Sequence, residues 1–227
     1  MSYTFLLGIA LVCAVINWMA VEKKWKTLEY IFKPGTMIVL IIWLVVNGSL
    51  SSEALWFTLG AIFSLAGDVF LMVPRNMFIF GLVSFLIGHI FYIIGFSLLP
   101  ANLSGAGGVY LLAILVILGF VIWKIYSRLT DGLQVKQLTN LKIPVLVYSI
   151  VITLMVISAL LCFLRPGWEL SPTLWAIAGA LLFYVSDTIL AMDRFVNPIP
   201  HARLLTMITY HLGQLGILVS AAMTFLR

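Results

Sequence analysis

Long apolar runs alternate with short polar ones along this chain. Runs near residues 3 to 21, 34 to 50, 54 to 73, 77 to 99, 108 to 126, 143 to 163, 172 to 192 and 203 to 226 each approach the roughly 20 residues that a helix needs to cross a hydrocarbon layer of about 30 Å. The ten-residue alternating segments of a membrane β-barrel are a different pattern. The chain therefore predicts an all-α, polytopic integral membrane protein with eight transmembrane helices. No linker or shift in composition divides the runs, so residues 1 to 227 are expected to form a single eight-helix transmembrane domain. The first run has no basic residue ahead of it and no small-residue cleavage site after it, and it reads as a retained span.

Composition sharpens this. Hydrophobic residues make up 63% of the chain and charged ones 9%, which excludes a soluble domain with an ordinary charged surface. The basic residues are unevenly placed. Lys23, Lys24, Lys26 and Lys33 fall between the first two spans, Arg75 between the third and fourth, Lys124, Arg128, Lys136 and Lys142 around the fifth-to-sixth connection, and Arg194 and Arg203 around the last. Only Arg165 and Arg227 fall on the other side. The positive-inside rule makes the basic side cytoplasmic and puts both termini outside. An anionic leaflet accounts for the charge, so no nucleic-acid partner is expected. A bacterial inner (cytoplasmic) membrane is compatible with this topology. Cys13 and Cys162 form no framework spacing. The longest inner loop is expected at 127 to 142, where Leu129, Leu133 and Leu138 could lie along the membrane interface.

The two halves echo each other. "GDVFLM" (67 to 72) and "SDTILAM" (186 to 192) each hold an aspartate, and the following span holds a histidine, His89 in "GHIFY" and His211 in "YHLGQLG". The aspartates are 119 residues apart (187 − 68) and the histidines 122 (211 − 89). Four spans lie between the copies, so a repeat here would be parallel, four helices plus four.

Asp68 and Asp187 are the only acids well inside the runs; the other six lie in loops or at run ends. A charge at mid-membrane costs at least about 2.5 kcal/mol even on lenient scales, so each acid calls for a partner, a hydrated cavity or a proton. Helical spacing puts His89 and Tyr92 on one face, and Tyr210, His211 and Gln214 close together on another. These stripes are expected to meet in one cavity open to the cytoplasmic side, with the two aspartates at similar depths. Lys33, just before Pro34 at the inner end of the second span, reads either as an anchor in the headgroups or as a phosphate contact at the cavity mouth. The tryptophans near span ends, such as Trp25 and Trp168, read as an interfacial belt.

In this order, "KPGTM", "GDVFL", "GHIFY", "YVSDTILA" and "TYHLGQLGI" resemble the YhhN-like membrane proteins, whose characterised members are lysoplasmalogenases. The resemblance implies an eight-helix hydrolase with a lysophospholipid substrate drawn from the membrane lipids. It would cleave the vinyl ether of a lysoplasmalogen to a fatty aldehyde and glycerophosphoethanolamine or glycerophosphocholine. Carried over by motif position, its polar pocket would comprise Lys33, Asp68, His89, Tyr92, Tyr148, Ser186, Asp187, Tyr210 and Gln214.

Vinyl ether hydrolysis starts with proton transfer to the β-carbon and passes through an oxocarbenium ion, so it asks for one protonated acid and one nearby anion or base. Two carboxyls in an apolar site suit that division. Asp68 and Asp187 are therefore the expected acid and anion, in an order that the sequence leaves open, with His89 and Tyr92 orienting them. No cofactor is expected. Zinc on Asp68, Asp187, His89 and His211 is the mechanistic rival, although no two of these lie three or four residues apart on one helix. A carrier of a small or lipid-like substrate is the alternative function, and a scaffold subunit a third. All eight prolines are expected at span ends or in loops, which counts against a carrier with broken helices. Headgroup preference and oligomeric state are left open.

Overall fold

A computed structural model describes residues 3–73 and 77–226. Pro74, Arg75 and Arg227, which entered the readings above, lie outside the described residues. Among those described there are eight α-helices and no strands: α1 Phe5–Lys23, α2 Lys26–Val46, α3 Leu55–Met72, α4 Phe78–Phe96, α5 Ala106–Val135, α6 Lys142–Leu160, α7 Leu170–Phe195 and α8 Ala202–Phe225. All eight are long and apolar enough to cross a membrane.

Helices consecutive in sequence pair as hairpins, α1 with α2, α3 with α4 and α7 with α8. The last two close tightly because glycine removes the side chain at the crossing. A Cβ on Gly67 would lie 2.6 Å from the Phe85 ring, and one on Gly88 3.0 Å from the Gly60 carbonyl. In the α7–α8 hairpin a Cβ on Gly213 would lie 2.8 Å from the Phe183 backbone nitrogen, and one on Gly216 2.8 Å from Gly179 Cα. Lipid offers no hydrophobic drive between helices, so close backbone approach supplies the attraction through dispersion. Helix α8 also touches α1, α2 and α3, which puts it at the centre of the bundle. Helix α5 touches only α6 and α7 appreciably and leaves Val109, Leu112, Val116, Ile117 and Phe120 exposed on its outer face, where lipid would cover them.

Two boundaries differ from the sequence reading. Helix α2 starts at Lys26, not near residue 34, so Lys33 and Pro34 lie well inside it. Its first two turns carry Lys26, Glu29, Tyr30 and Lys33 on one face, at helical spacing, and that face turns to a polar cavity within the protein instead of to lipid. The expectation that every proline sits at a span end or in a loop is thus wrong at Pro34. Helix α5 runs on to Val135, shrinking the expected loop. Leu129 and Leu133 are buried against Val145 and Phe195 instead of lying along the interface, because an i, i+4 apolar stripe finds protein to pack on.

The connections α1–α2, α3–α4, α5–α6 and α7–α8 gather at one end, called the basic end below. At the other end Arg165 donates from Nη1 to the Phe96 carbonyl and to Ser97 Oγ, closing the C-terminus of α4. Burial pulls the pKa of its guanidinium below the usual value.

Candidate active site

Both aspartates sit toward the basic end, and each is held by residues from the two halves of the chain. Asp68 is buried, 1% exposed. The Lys33 ammonium on α2 lies 3.2 Å from its Oδ1, and the Tyr210 hydroxyl on α8 donates to its Oδ2 at 2.6 Å. Asp187 on α7 is partly exposed. The Tyr148 hydroxyl on α6 donates to its Oδ2, and His89 Nε2 on α4 approaches the same oxygen at 3.4 Å and the Tyr148 hydroxyl at 3.0 Å. Both bonds fall on Oδ2, which leaves Oδ1 for a proton or a substrate. His89 Nδ1 is buried without a partner, so the neutral ring with its proton on Nε2 is the tautomer that costs least.

One pattern underlies the two clusters. Each aspartate takes a partner from the helix before it in its own half, Lys33 or Tyr148, and another from the closing helix of the opposite half, Tyr210 or His89. This is the arrangement that a parallel four-plus-four repeat would produce. It is unsymmetrical in chemistry, because Asp68 faces a full cation and Asp187 two neutral donors. The clusters are linked through rings: His89 meets Phe183 edge-on at 4.7 Å between centroids, and Phe183 meets Tyr210 at 5.3 Å.

The other candidates fall one step back. The Tyr92 hydroxyl donates to Gln214 Oε1 at 2.6 Å, tying α4 to α8, and holds neither carboxylate; Tyr210 and Tyr148 do that instead. Ser186 Oγ donates to the Thr206 carbonyl and fixes α7 on α8. His211 accepts from Trp18 Nε1 at 3.0 Å on the α1 side and touches no acid. The four side chains considered as zinc ligands are thereby split among separate clusters. Among the described residues no three of His, Cys, Asp and Glu come together as a metal site.

Instead of one hollow there are two adjoining cavities. The apolar cavity lies among α4, α5, α6 and α7, encloses about 60 Å³, and is walled by side chains such as Phe85, Ile125, Leu129 and Ile152, with Asp187 and Tyr148 as its polar groups of note. The polar cavity, about 280 Å³, lies among α2, α7 and α8 and holds Lys26, Glu29, Tyr30, Lys33, Asp193, Arg194 and Arg203. Leu71, Phe78 and Leu190 line both. Asp68 lines neither directly and reaches the polar cavity through Lys33. Their depths also differ: Asp68 lies four residues from the end of α3 and Asp187 eight from the end of α7, about 6 and 12 Å along the axes.

The model of the YhhN family matches residues 28–221. The chain belongs to the YhhN family. Among its relatives, Lysoplasmalogenase TMEM86B of Mus musculus is 31% identical over 206 residues, which cover 90% of this chain and 79% of the relative. Lysoplasmalogenase TMEM86A of Bos taurus is 31% identical over 169 residues, covering 71% and 63%. Lysoplasmalogenase of Mycobacterium tuberculosis is 30% identical over 169 residues, covering 71% and 58%. No solved structure matches. Within the YhhN match fall all nine residues of the expected pocket, and also several that the sequence reading passed over: Glu29, whose carboxylate pairs with Arg203 at 2.5 Å, and Asp193 and Arg194. The signal for Glu29 and Arg194 was the spacing 26, 29, 30, 33 on α2 and 187, 190, 191, 194 on α7, each one face of a helix; Asp193 lies off that face.

Proposed function

We propose that this chain is a lysoplasmalogenase, hydrolysing the vinyl ether of a lysoplasmalogen by aspartate chemistry at Asp187, in a bacterial inner membrane with the basic end cytoplasmic and both termini outside. Membership of the YhhN family and the names of its relatives support the substrate class. The observation that carries the chemistry is the Asp187–Tyr148–His89 cluster on the wall of an apolar cavity.

Asp187 is the general acid. Its free Oδ1 faces a medium that suits an alkenyl chain, and only neutral donors hold its other oxygen. The proton goes to the β-carbon of the double bond, leaving an oxocarbenium ion at the ether carbon. Water adds there to give a hemiacetal, which collapses to the aldehyde and the free glycerol hydroxyl. One water is consumed, and the proton lost from it returns to the Asp187 carboxylate. Asp68 is the fixed anion, kept ionised by Lys33, and its charge favours the cationic intermediate. His89 and Tyr148 hold Asp187 in place. Water reaches the ether carbon from the polar cavity.

The test is aldehyde release from 1-alkenyl-lysophosphatidylethanolamine by the purified protein in nanodiscs. The expected products are one aldehyde and one glycerophosphoethanolamine per turnover. Intact substrate with the wild-type chain, or unchanged turnover in Asp187→Asn, overturns the proposal.

A further inference from the structure

Catalysis at Asp187 uses the apolar cavity and asks of the larger, charged one only a path for water and the Lys33 that pairs with Asp68. Four cations and two acids line it: Lys26, Lys33, Arg194 and Arg203 against Glu29 and Asp193. Lys33 is matched by Asp68, and Arg203 by Glu29. Arg194 stacks on Phe78, its guanidinium carbon 3.9 Å from the ring centroid, and no acid pairs with it among the described residues. Lys26 likewise makes no ion pair there. The cavity thus holds two cations free to take an anion, Lys26 and Arg194, beside the Arg203–Glu29 pair and Asp193, a carboxylate that makes no ion pair among the described residues and accepts from the Ile199 amide. That is the complement of a zwitterion whose anion is a phosphodiester.

Its placement matters as much as its charge. Arg194 and Asp187 lie seven residues apart on one face of α7, about 10 Å along the axis. In a 1-alkenyl-lysophospholipid, seven covalent bonds separate the phosphorus from the β-carbon of the vinyl ether, a reach of roughly 8–9 Å when extended. A phosphate at Arg194 therefore brings the double bond to the level of Asp187. Leu71, Phe78 and Leu190, the walls common to both cavities, would flank the glycerol between them. The apolar cavity is too small for a whole alkenyl chain. Ile125 and Leu129 of α5, the helix with the barest outer face, form part of its wall, and the rest of the chain would have to trail past that helix into the bilayer.

We infer that the polar cavity is the headgroup site, in which Arg194, Arg203 and Lys26 bind the phosphodiester of an amphiphile and Glu29 and Asp193 take its ammonium. The inference rests on the proposed hydrolase reading and adds to it the group that sets the substrate's register. Phosphate recognition is then what selects a lysophospholipid over an alkenyl glycerol of the same chain. The Arg203–Glu29 pair holds both side chains at the cavity in the absence of ligand, so little ordering is left for the moment of binding.

The experiment compares two substrates, 1-alkenyl-lysophosphatidylethanolamine and 1-alkenylglycerol, in nanodiscs of uncharged lipid with wild type, Arg194→Gln and Arg203→Gln. The expected result is that the ratio of kcat/KM between the two substrates falls about tenfold or more in each variant, as loss of a charge-assisted phosphate contact requires. It should appear mainly in KM for the phosphate-bearing substrate. An equal fall on both substrates, or no fall, overturns the headgroup site. Aldehyde from neither substrate with wild type instead overturns the hydrolase reading, which keeps the two failures apart. Should a variant fold poorly, Asp187→Asn protein titrated with glycerophosphoethanolamine and with inorganic phosphate gives a second measure. Saturable binding of the diester, weakened about tenfold in Arg194→Lys/Asp187→Asn, supports the site. Binding of inorganic phosphate alone, or of neither, refutes it.

Discussion

Replacing Lys33 by Met tests the burial logic on which the site depends. Asp68 is 1% exposed, and its cation lies 3.2 Å away. At an effective dielectric of about 20 the attraction over that distance is about 5 kcal/mol, and removing one member of a buried pair typically costs about 3–5 kcal/mol because the other charge is stranded. A stranded carboxylate can escape by taking a proton. At pH 7 that costs an ordinary aspartate about 4 kcal/mol, which caps the loss. The expectation is therefore about 3–4 kcal/mol of lost stability for Lys33→Met, and less, about 1–3 kcal/mol, for Lys33→Met with Asp68→Leu, in which the two apolar side chains meet and only the buried Tyr210 hydroxyl is left without its acceptor. The assay is reversible unfolding of the protein in mixed micelles, read as a double-mutant cycle. Additive effects, or a single-variant loss below about 0.5 kcal/mol, would mean that water reaches Asp68, and the account of a carboxylate kept ionised by one lysine would be wrong. Activity adds a second readout. If the Asp68 charge favours the cationic intermediate, the double variant regains stability and stays slow.

Asp187→Asn should reduce aldehyde release by about 10²–10⁴-fold while the protein remains folded, whereas Asp68→Asn, which removes an anion but no proton donor, should cost less; equal residual rates near wild type in both would refute the assignment. Tyr148→Phe removes the hydroxyl that donates to Asp187 and should lower kcat several-fold with little change in KM, measured by the same aldehyde assay. His211→Ala, which removes the acceptor of the Trp18 bond and a buried ring packed on Trp18 and Tyr210 but no contact to either aspartate, should keep turnover of the folded protein within a few-fold of wild type. Prolonged treatment with a strong zinc chelator should leave turnover unchanged, and loss restored by added zinc would revive the metal mechanism. Gly213→Val places a branched side chain where even a Cβ would come within 2.8 Å of the α7 backbone, and should cost about 2 kcal/mol or more in the unfolding assay by prising α7 from α8.

Hydropathy alone was enough for the class of fold, because a helix that crosses lipid must satisfy its backbone internally and must be about 20 apolar residues long. The same logic singled out Asp68 and Asp187, since a carboxylate amid such runs is costly wherever it sits. His89 followed from its matched position after Asp68. Where helices begin and end was less legible, and for one reason. Polar residues near a helix end read as loop when lipid is assumed outside, yet Lys26 to Lys33 on α2 and Ile125 to Leu133 on α5 turn toward protein.

Partnership lay beyond one-dimensional reading. Asp68 meets Tyr210, 142 residues away, and Asp187 meets His89, 98 residues away. Nothing local specifies those pairs; they follow from glycine-lined hairpins that bring α8 against α3, and α4 against α6 and α7. Nor does residue spacing show that two carboxylates expected in one hollow occupy different walls, one paired to a lysine beside a charged cavity and the other bared to an apolar one. Periodicity places a side chain on a face of its own helix. Which neighbour, and which solvent, that face meets is settled by packing among all eight.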